Sequence, residues 1–166
     1  MKKKVSVDII AIVLLLTFMI IFFPLQAVRN HMVREEKKEN GLYIEKAIIG
    51  KTFSGNRREY STRGGDGLRL AEFTDTDILC EFRQDGMAYI RTTESYCNGI
   101  ATVIDGEIAY NDSYTKEKEY SIGEVSVTDS GLYMIKLGGE KYRVMVKGER
   151  EPIAIVIDGV TCDLVS

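Results

Sequence analysis

An uninterrupted apolar stretch near the N-terminus constrains this chain most. Residues 9–28, IIAIVLLLTFMIIFFPLQAV, contain no charged side chain. Coiled into an α-helix, they would extend about 30 Å, which is the thickness of the hydrocarbon layer of a membrane. A helix packed inside a soluble domain would show a polar face, and this stretch has none. The sequence therefore predicts one membrane-spanning helix.

The same stretch could instead belong to a cleaved signal peptide. Such a peptide has an apolar core of about 7–15 residues and small residues before its cleavage site. The stretch here is longer, and cleavage after Ala27 would leave Leu25 at a position that prefers a small residue. We predict an uncleaved transmembrane anchor over residues 1–28, with cleavage as the alternative.

Charge indicates how the anchor is oriented. The three lysines at positions 2–4 outweigh Arg29 and Arg34 beyond the apolar stretch. By the positive-inside rule, the N-terminus is expected in the cytoplasm, with the rest of the chain outside it. The formal net charge is −3. With Asp8, the anchor carries +2, which leaves −5 for the remainder, so no nucleic-acid partner is expected.

Two further regions follow the anchor. Residues 29–50 mix both charges, which predicts a helical stalk or linker that breaks at Gly41. Residues 51–166 are predicted to form an extracytoplasmic antiparallel β-domain. The fold class expected is mainly β with one N-terminal transmembrane α-helix, and the strands would form either a hairpin-rich sheet or a small barrel.

Four dipeptides predict the hairpins of this β-domain. Both central residues of a type I′ turn need positive φ, which Asp-Gly and Gly-Gly adopt readily. The predicted turns are Asp85-Gly86, Asp105-Gly106, Gly138-Gly139 and Asp158-Gly159. They imply cross-strand pairs between Phe82 and Tyr89, Val103 and Ile108, Ile135 and Tyr142, and Ile155 and Cys162.

The β-domain also shows internal similarity. The segments IATVIDG (100–106) and IAIVIDG (153–159) agree at six of seven positions. This predicts a 53-residue repeat that relates residues 76–106 to residues 129–159. Convergence on the same turn is the alternative.

Two polar segments are predicted to be loops, over residues 54–67 and 111–120. The first contains Arg57, Arg58 and Arg63, which form a candidate contact loop for an anionic partner or lipid headgroups. A plain solvated loop explains the same composition.

Little in the sequence indicates catalysis. The single histidine, His31, lies beside the anchor, and the three cysteines lack the close spacing of a zinc site. We expect no catalytic, metal-binding or cofactor-binding residues. Cys80 and Cys162 both fall on the inner face of the predicted strands, where they form either a disulfide or two reduced core thiols.

The order of a hydrophobic helix, a stalk and an antiparallel sheet resembles type IV pilin-like and pseudopilin-like proteins. The segment GLRLAEFTDTDILCEFRQDGMAYIR resembles the strand, hairpin and strand of minor pseudopilins. The usual Gly-Phe-Thr-Leu-x-Glu processing motif is absent. This resemblance implies a component of an envelope secretion or DNA-uptake apparatus, with protein partners packed along residues 5–28.

Two other resemblances concern the β-domain alone. The segment IIGKTFSG resembles the opening Gly-x-Trp of small bacterial lipocalin-like barrels, with Phe53 in place of the tryptophan. That resemblance implies a tethered barrel that binds a small ligand, which is the alternative function. The segment DSGLY (129–133) is similar to the tyrosine corner of immunoglobulin domains, but a turn followed by a strand accounts for it. We expect a non-catalytic, single-pass cell-membrane protein that acts through contacts.

Overall fold

One α-helix and ten β-strands form the described part of the chain. A computed structural model describes residues 7–63, 70–99, 102–104, 107–147 and 151–165. The helix α1 spans Val7–Ile48. The strands are β1 (Thr52–Arg63), β2 (Leu70–Phe82), β3 (Met87–Gly99), β4 (Thr102–Ile104), β5 (Glu107–Ala109), β6 (Asp112–Val127), β7 (Tyr133–Leu137), β8 (Glu140–Lys147), β9 (Glu151–Ile157) and β10 (Val160–Leu164).

Eight of these strands close into an antiparallel barrel. Their order around the barrel is β1-β10-β9-β8-β7-β6-β3-β2, and β4 and β5 pair with each other in a separate two-stranded sheet. The predicted fold class, mainly β with one long apolar N-terminal helix, is confirmed, and the small barrel is the form the sheet takes.

The chain divides into two compact units, Met1–Glu39 and Asn40–Ser166. In the first unit, apolar side chains between residues 10 and 28 are exposed. The rings of Phe18 and Phe22 stack with their centroids 5.0 Å apart. The helix is long and apolar enough to cross a membrane. Pro24 lies inside it without ending it.

The second unit contains the end of α1 together with the barrel. Ile44 and Ile48 are fully buried in the same core as the barrel side chains. The predicted break at Gly41 is wrong, because the helix continues to Ile48. Gly41 is a contact point instead: a Cβ there would overlap the carbonyl oxygen of Val125 on β6. Glycine lets the helix backbone approach the strand.

The barrel interior is filled by side chains. An eight-stranded barrel is just wide enough for its inward side chains to meet. Phe53 and Phe82 are almost completely buried, and their rings meet edge to face with centroids 5.8 Å apart. Around them lie aliphatic and sulfur-containing residues, including Ile78, Cys80, Ile135, Leu137, Ile155, Ile157 and Cys162.

Two of the predicted turns are confirmed in detail. Gly138 and Gly139 have φ values of 57° and 105°, and Asp158 and Gly159 have values of 50° and 78°. The expected pairs, Ile135 with Tyr142 and Ile155 with Cys162, are present. Positive φ at both central residues therefore sets these registers, as type I′ turns require.

The register predicted around Asp85-Gly86 is wrong by one residue. Phe82 pairs with Ala88 rather than with Tyr89. The Gly86 N–H donates to the Arg83 carbonyl, and only Gly86 has positive φ, so the loop is a three-residue turn that ends in a left-handed glycine. Since side chains alternate along a strand, this shift sends Ala88 inward and Tyr89 outward.

The remaining hairpin is confirmed where the structure describes it. Val103 pairs with Ile108, whereas residues 105–106 of its turn lie outside the described residues. This hairpin forms the separate two-stranded sheet, whereas the similar segment 153–159 belongs to barrel strand β9 and its turn. The proposed repeat of residues 76–106 and 129–159 stays a prediction.

Both predicted polar loops are largely strands. Residues 54–63 belong to β1 and pair with β2 along their whole length, and residues 112–120 belong to β6 and pair with β3. Charged side chains lie on both faces of these exposed strands. The low hydrophobicity of the two segments is therefore due to solvent-exposed strands and not to irregular backbone.

We expect Gly41→Ala to destabilise the barrel by about 1–3 kcal/mol, because the added methyl group must displace the backbone of β6. Helix propensity alone predicts the opposite sign, a gain of about 1 kcal/mol. Urea unfolding of both proteins in the same detergent measures the difference. A more stable variant would contradict the close approach of Gly41 to Val125.

Candidate functional site

Four strands continue past the closed part of the barrel. The ladder between β1 and β10 pairs Phe53 with Leu164 and Ser54 with Asp163, and β6 pairs with β7 only from Ile122 onward. The outer parts of β1, β2, β3 and β6 therefore form a sheet that extends the barrel wall. We call the inner face of this extension, formed by residues 55–63, 72–76, 92–96 and 112–118, the trough.

Strand alternation determines which residues line the trough. Lys118 pairs with Ile90, which is buried in the barrel, so the residues that alternate with these two share the inner face. Thr92 pairs with Lys116, Glu94 with Tyr114, and Tyr96 with Asp112. The trough is thus polar along its length, with lysines nearer the barrel and acidic and aromatic residues farther out.

Two pockets open along the trough. The mouth pocket has a volume of about 100 Å³ and is lined by residues that include Lys116, Lys118, Glu94 and Asp158. The outer pocket has a volume of about 250 Å³ and is lined by Thr74, Glu94, Tyr96, Asp112 and Tyr114. Glu94 is common to both.

The predicted arginines do not form one contact loop, because they lie on a strand. Arg57 is on the inner face, where Nη1 donates to the Asp158 carbonyl at 3.3 Å and Nε lies 3.2 Å from Glu59 Oε1. Arg58 is on the opposite face. Arg63 pairs with Leu70 through its backbone, and its side chain is not among the parts of the chain that the structure describes. The structure therefore separates Arg57 from Arg58.

Arg58 is part of a cluster on the outer face of the sheet. Its Nε and Nη2 donate to the two oxygens of Asp75 at 2.5 Å each, and the Tyr110 hydroxyl donates to the same carboxylate. The guanidinium also lies 4.7 Å from the centroid of the Phe73 ring. Asp75 is only 3% exposed, so this ion pair is shielded on one side. We call these four residues the outer cluster.

These contacts determine the ionisation of the outer cluster. The hydrogen bonds from Arg58 lower the pKa of Asp75, and the hydrogen bond to Asp75 raises the pKa of Tyr110. The same carboxylate raises the pKa of Arg58. Asp75 is therefore a fixed anion that holds Tyr110 against the sheet, since a carboxylate with a lowered pKa is a weak base.

Sequence reasoning missed the outer cluster. Asp75 lies in the alternating segment FTDTD, where an acidic residue is expected to face water. Its carboxylate accepts a hydrogen bond from Tyr110, which is 35 residues away in sequence. The only indication of this cluster in the sequence is that Arg58 and Asp75 occupy paired positions on β1 and β2. That pairing can be recognised only if β1 is first identified as a strand.

Cys80 and Cys162 are thiols that form no disulfide with each other. Cys80 and Cys162 are fully buried on the inner face, as predicted, and Cys97 is buried opposite Phe73. Burial raises the pKa of Cys80 to about 12 and that of Cys162 to about 11. Both therefore remain protonated near neutral pH, which makes them poor nucleophiles.

No group of three or more His, Cys, Asp or Glu side chains is placed to hold a metal ion within the described ranges. In the trough, the arrangement of two lysines, carboxylates and tyrosines is suited to reversible polar binding.

We expect Asp75→Asn to destabilise the protein by about 1–3 kcal/mol at neutral pH, because Arg58 and Tyr110 lose a charged acceptor. Asp77→Asn is the control, since Asp77 is exposed on the same face of β2 and accepts a hydrogen bond of 2.7 Å from the Asn56 side chain. Urea unfolding measures both changes.

The effect of Asp75→Asn should depend on pH. The pKa of Asp75 is lower in the folded protein than its ordinary value of 3.8. Its stabilising contribution is therefore complete above pH 3.8 and is lost as the pH falls through the folded value. The difference between wild type and variant should shrink in strong acid, and a constant difference would contradict the ion pair.

Comparison of the chain with family models, curated proteins and solved structures returned no match. The pilin-like and lipocalin-like resemblances therefore rest on the sequence features that suggested them.

Proposed function

We propose that this chain is a membrane-anchored protein whose barrel lies outside the cytoplasm and acts by binding rather than by catalysis. The observation that carries the proposal is the helix α1. It contains an exposed apolar stretch of the length that crosses a bilayer, and its last turns, with Ile44 and Ile48, belong to the barrel core. One helix thus joins a lipid-compatible segment to a folded domain.

Charge supports the orientation in this proposal. The lysines at positions 2–4 favour retention of the N-terminus in the cytoplasm. The barrel unit would then face the outside, and residues 5–28 would contact the lipid bilayer. The predicted boundaries, with an anchor to residue 28, a linker to residue 50 and a β-domain beyond it, belong to the same proposal.

A pilin-like role is the more specific form of the proposal. It is supported by the continuity of α1 from Val7 to Ile48, since an assembly component of this kind needs an uninterrupted N-terminal helix. Partner helices of an envelope apparatus would pack along residues 5–28. The exposed aromatic side chains of Phe18 and Phe22 offer them a contact surface.

A lipocalin-like role is the second candidate, and the closed eight-stranded barrel favours it. The mouth pocket of about 100 Å³ is smaller than the roughly 300–1,000 Å³ of typical small-molecule sites. Because side chains fill the interior, an apolar ligand would have to displace core residues. We therefore place this role second.

Several features support a non-catalytic role. His31 lies in the first unit, and burial raises the pKa values of Cys80 and Cys162. Asp75 is tied to Arg58. These four groups are therefore either poorly reactive or, for His31, separated in sequence from the barrel strands.

We expect Phe18→Lys to weaken membrane insertion, because a lysine at the centre of a spanning helix costs about 2.5–3.5 kcal/mol. Met32→Lys is the matched control, since Met32 lies on the same helix beyond the apolar stretch. Alkaline extraction of membranes should release more of the first variant than of the second. Complete release of the wild-type protein would overturn the anchor.

A second experiment compares chains of residues 40–166 and 50–166. The shorter chain loses Ile44 and Ile48, and each buried isoleucine contributes about 2–5 kcal/mol. Since a domain of this size is stable by about 5–15 kcal/mol, the loss should largely unfold it. Circular dichroism and proton NMR measure folding.

The outcome also separates the two candidate roles. If residues 50–166 fold as stably as residues 40–166 and bind an apolar probe saturably, the lipocalin-like role replaces the pilin-like one. If only residues 40–166 fold, the end of α1 is an integral part of the barrel.

A further inference from the structure

The outer pocket combines two aromatic rings with two carboxylates. Tyr96 pairs with Asp112 across β3 and β6, and Glu94 pairs with Tyr114 two residues away. Directly paired residues have Cβ atoms about 4.5–5.5 Å apart, so the four side chains alternate around a small area of the inner face. Thr74 completes the lining from β2. All five residues line one pocket of about 250 Å³.

One cation already contacts this pocket. The Nζ atom of Lys116 lies 4.9 Å from the centroid of the Tyr114 ring. The Tyr114 hydroxyl donates to Glu94, and this hydrogen bond raises the pKa of Tyr114, so the phenol stays neutral beside the carboxylate. The face of the Tyr114 ring is thus positioned to receive an ammonium group, and a neighbouring side chain supplies one.

The exposure of the rings leaves room for a ligand. Tyr96 is 36% exposed and Tyr114 is 47% exposed, although both lie on the inner face of the trough. Aromatic rings attract cations through their negatively polarised faces, and methylated ammonium groups are the typical ligands of such sites. Glu94 and Asp112 add the opposite charge that completes recognition.

Other ligand classes fit the outer pocket less well. An anion would be repelled by Glu94 and Asp112. A calcium ion needs six to eight oxygen ligands, and two carboxylates with one threonine supply too few. A neutral apolar ligand would gain nothing from the charges. The lining therefore selects a cation that carries apolar groups.

We propose that the outer pocket binds a quaternary ammonium group, such as that of choline or of a choline-containing lipid headgroup. This inference rests on the proposed function only in taking the barrel unit to act by binding. Since the rings are partly exposed, we expect a dissociation constant of about 1 mM, the level of a weak, reversible site. Lys116 competes for the face of Tyr114.

The test is an NMR titration of the full chain in a maltoside detergent, with choline as the probe. The neutral isostere 3,3-dimethylbutan-1-ol is the ligand control, because it has the same shape without the charge. Choline should give saturable shifts and the alcohol should not. Absence of saturable choline binding, or equal binding of the alcohol, would overturn the proposal.

Variants locate the site. Tyr96→Ala and Tyr114→Ala should each weaken choline binding about two- to fivefold, as expected for loss of one exposed cation–π contact. Tyr114→Phe keeps the ring and should retain most of the affinity. Lys116→Met should strengthen binding, since it removes the competing ammonium. Unchanged affinity in a folded Tyr96→Ala, Tyr114→Ala double variant would also overturn the proposal.

Two further measurements identify the source of the ligand and separate this proposal from that of the membrane anchor. Tighter binding of dihexanoyl phosphatidylcholine than of choline would identify a lipid headgroup, and equal binding would identify the free cation. Failure of the anchor in membrane extraction, with choline binding intact, would contradict the membrane-anchored function alone.

Discussion

Closure of the barrel depends on a short contact between its first and last strands. Phe53 and Ser54 of β1 pair with Leu164 and Asp163 of β10, and the Val165 N–H donates to the Thr52 carbonyl at 2.8 Å. Next to these pairs, Gly55 lies where a Cβ would overlap the Thr161 carbonyl oxygen and contact the Cα of Cys162. The missing side chain lets the two strands approach, while Phe53 fills the interior. The core, the mouth pocket and the trough all depend on this closure. It determines where the closed barrel ends and where the open extension of β1, β2, β3 and β6 begins.

The end of α1 fills part of the barrel interior. A small barrel must be filled by side chains, and the strands leave space that Ile44 and Ile48 occupy. Gly41 then allows the helix backbone to lie against β6. The apolar N-terminal stretch and the barrel are thus connected by a single helix, and the last turns of this helix pack in the barrel core.

Prediction from sequence succeeded where local geometry determines the structure. Gly138-Gly139 and Asp158-Gly159 impose positive φ, and this fixes the register of the flanking strands. It failed where the same dipeptide is compatible with two loop lengths, as at Asp85-Gly86. It also failed where solvated strands resemble loops, as in β1 and β6, because strand identity there comes from pairing with distant residues. The outer cluster could not be predicted for the same reason, since Asp75 contacts Tyr110, which is distant in sequence.

The alternating charges of β6 have a consequence for how two copies of the chain can meet. The outer part of this strand, up to Ser121, has a partner on one side in the described pairing. Two such edges related by a twofold axis would join in antiparallel fashion with matching faces. In the register where Glu117 lies on that axis, Lys116 would oppose Lys118 and Glu117 would oppose its own copy. Like charges directly opposite each other destabilise a sheet, so the pattern that makes the trough polar also discourages edge-to-edge pairing in this register.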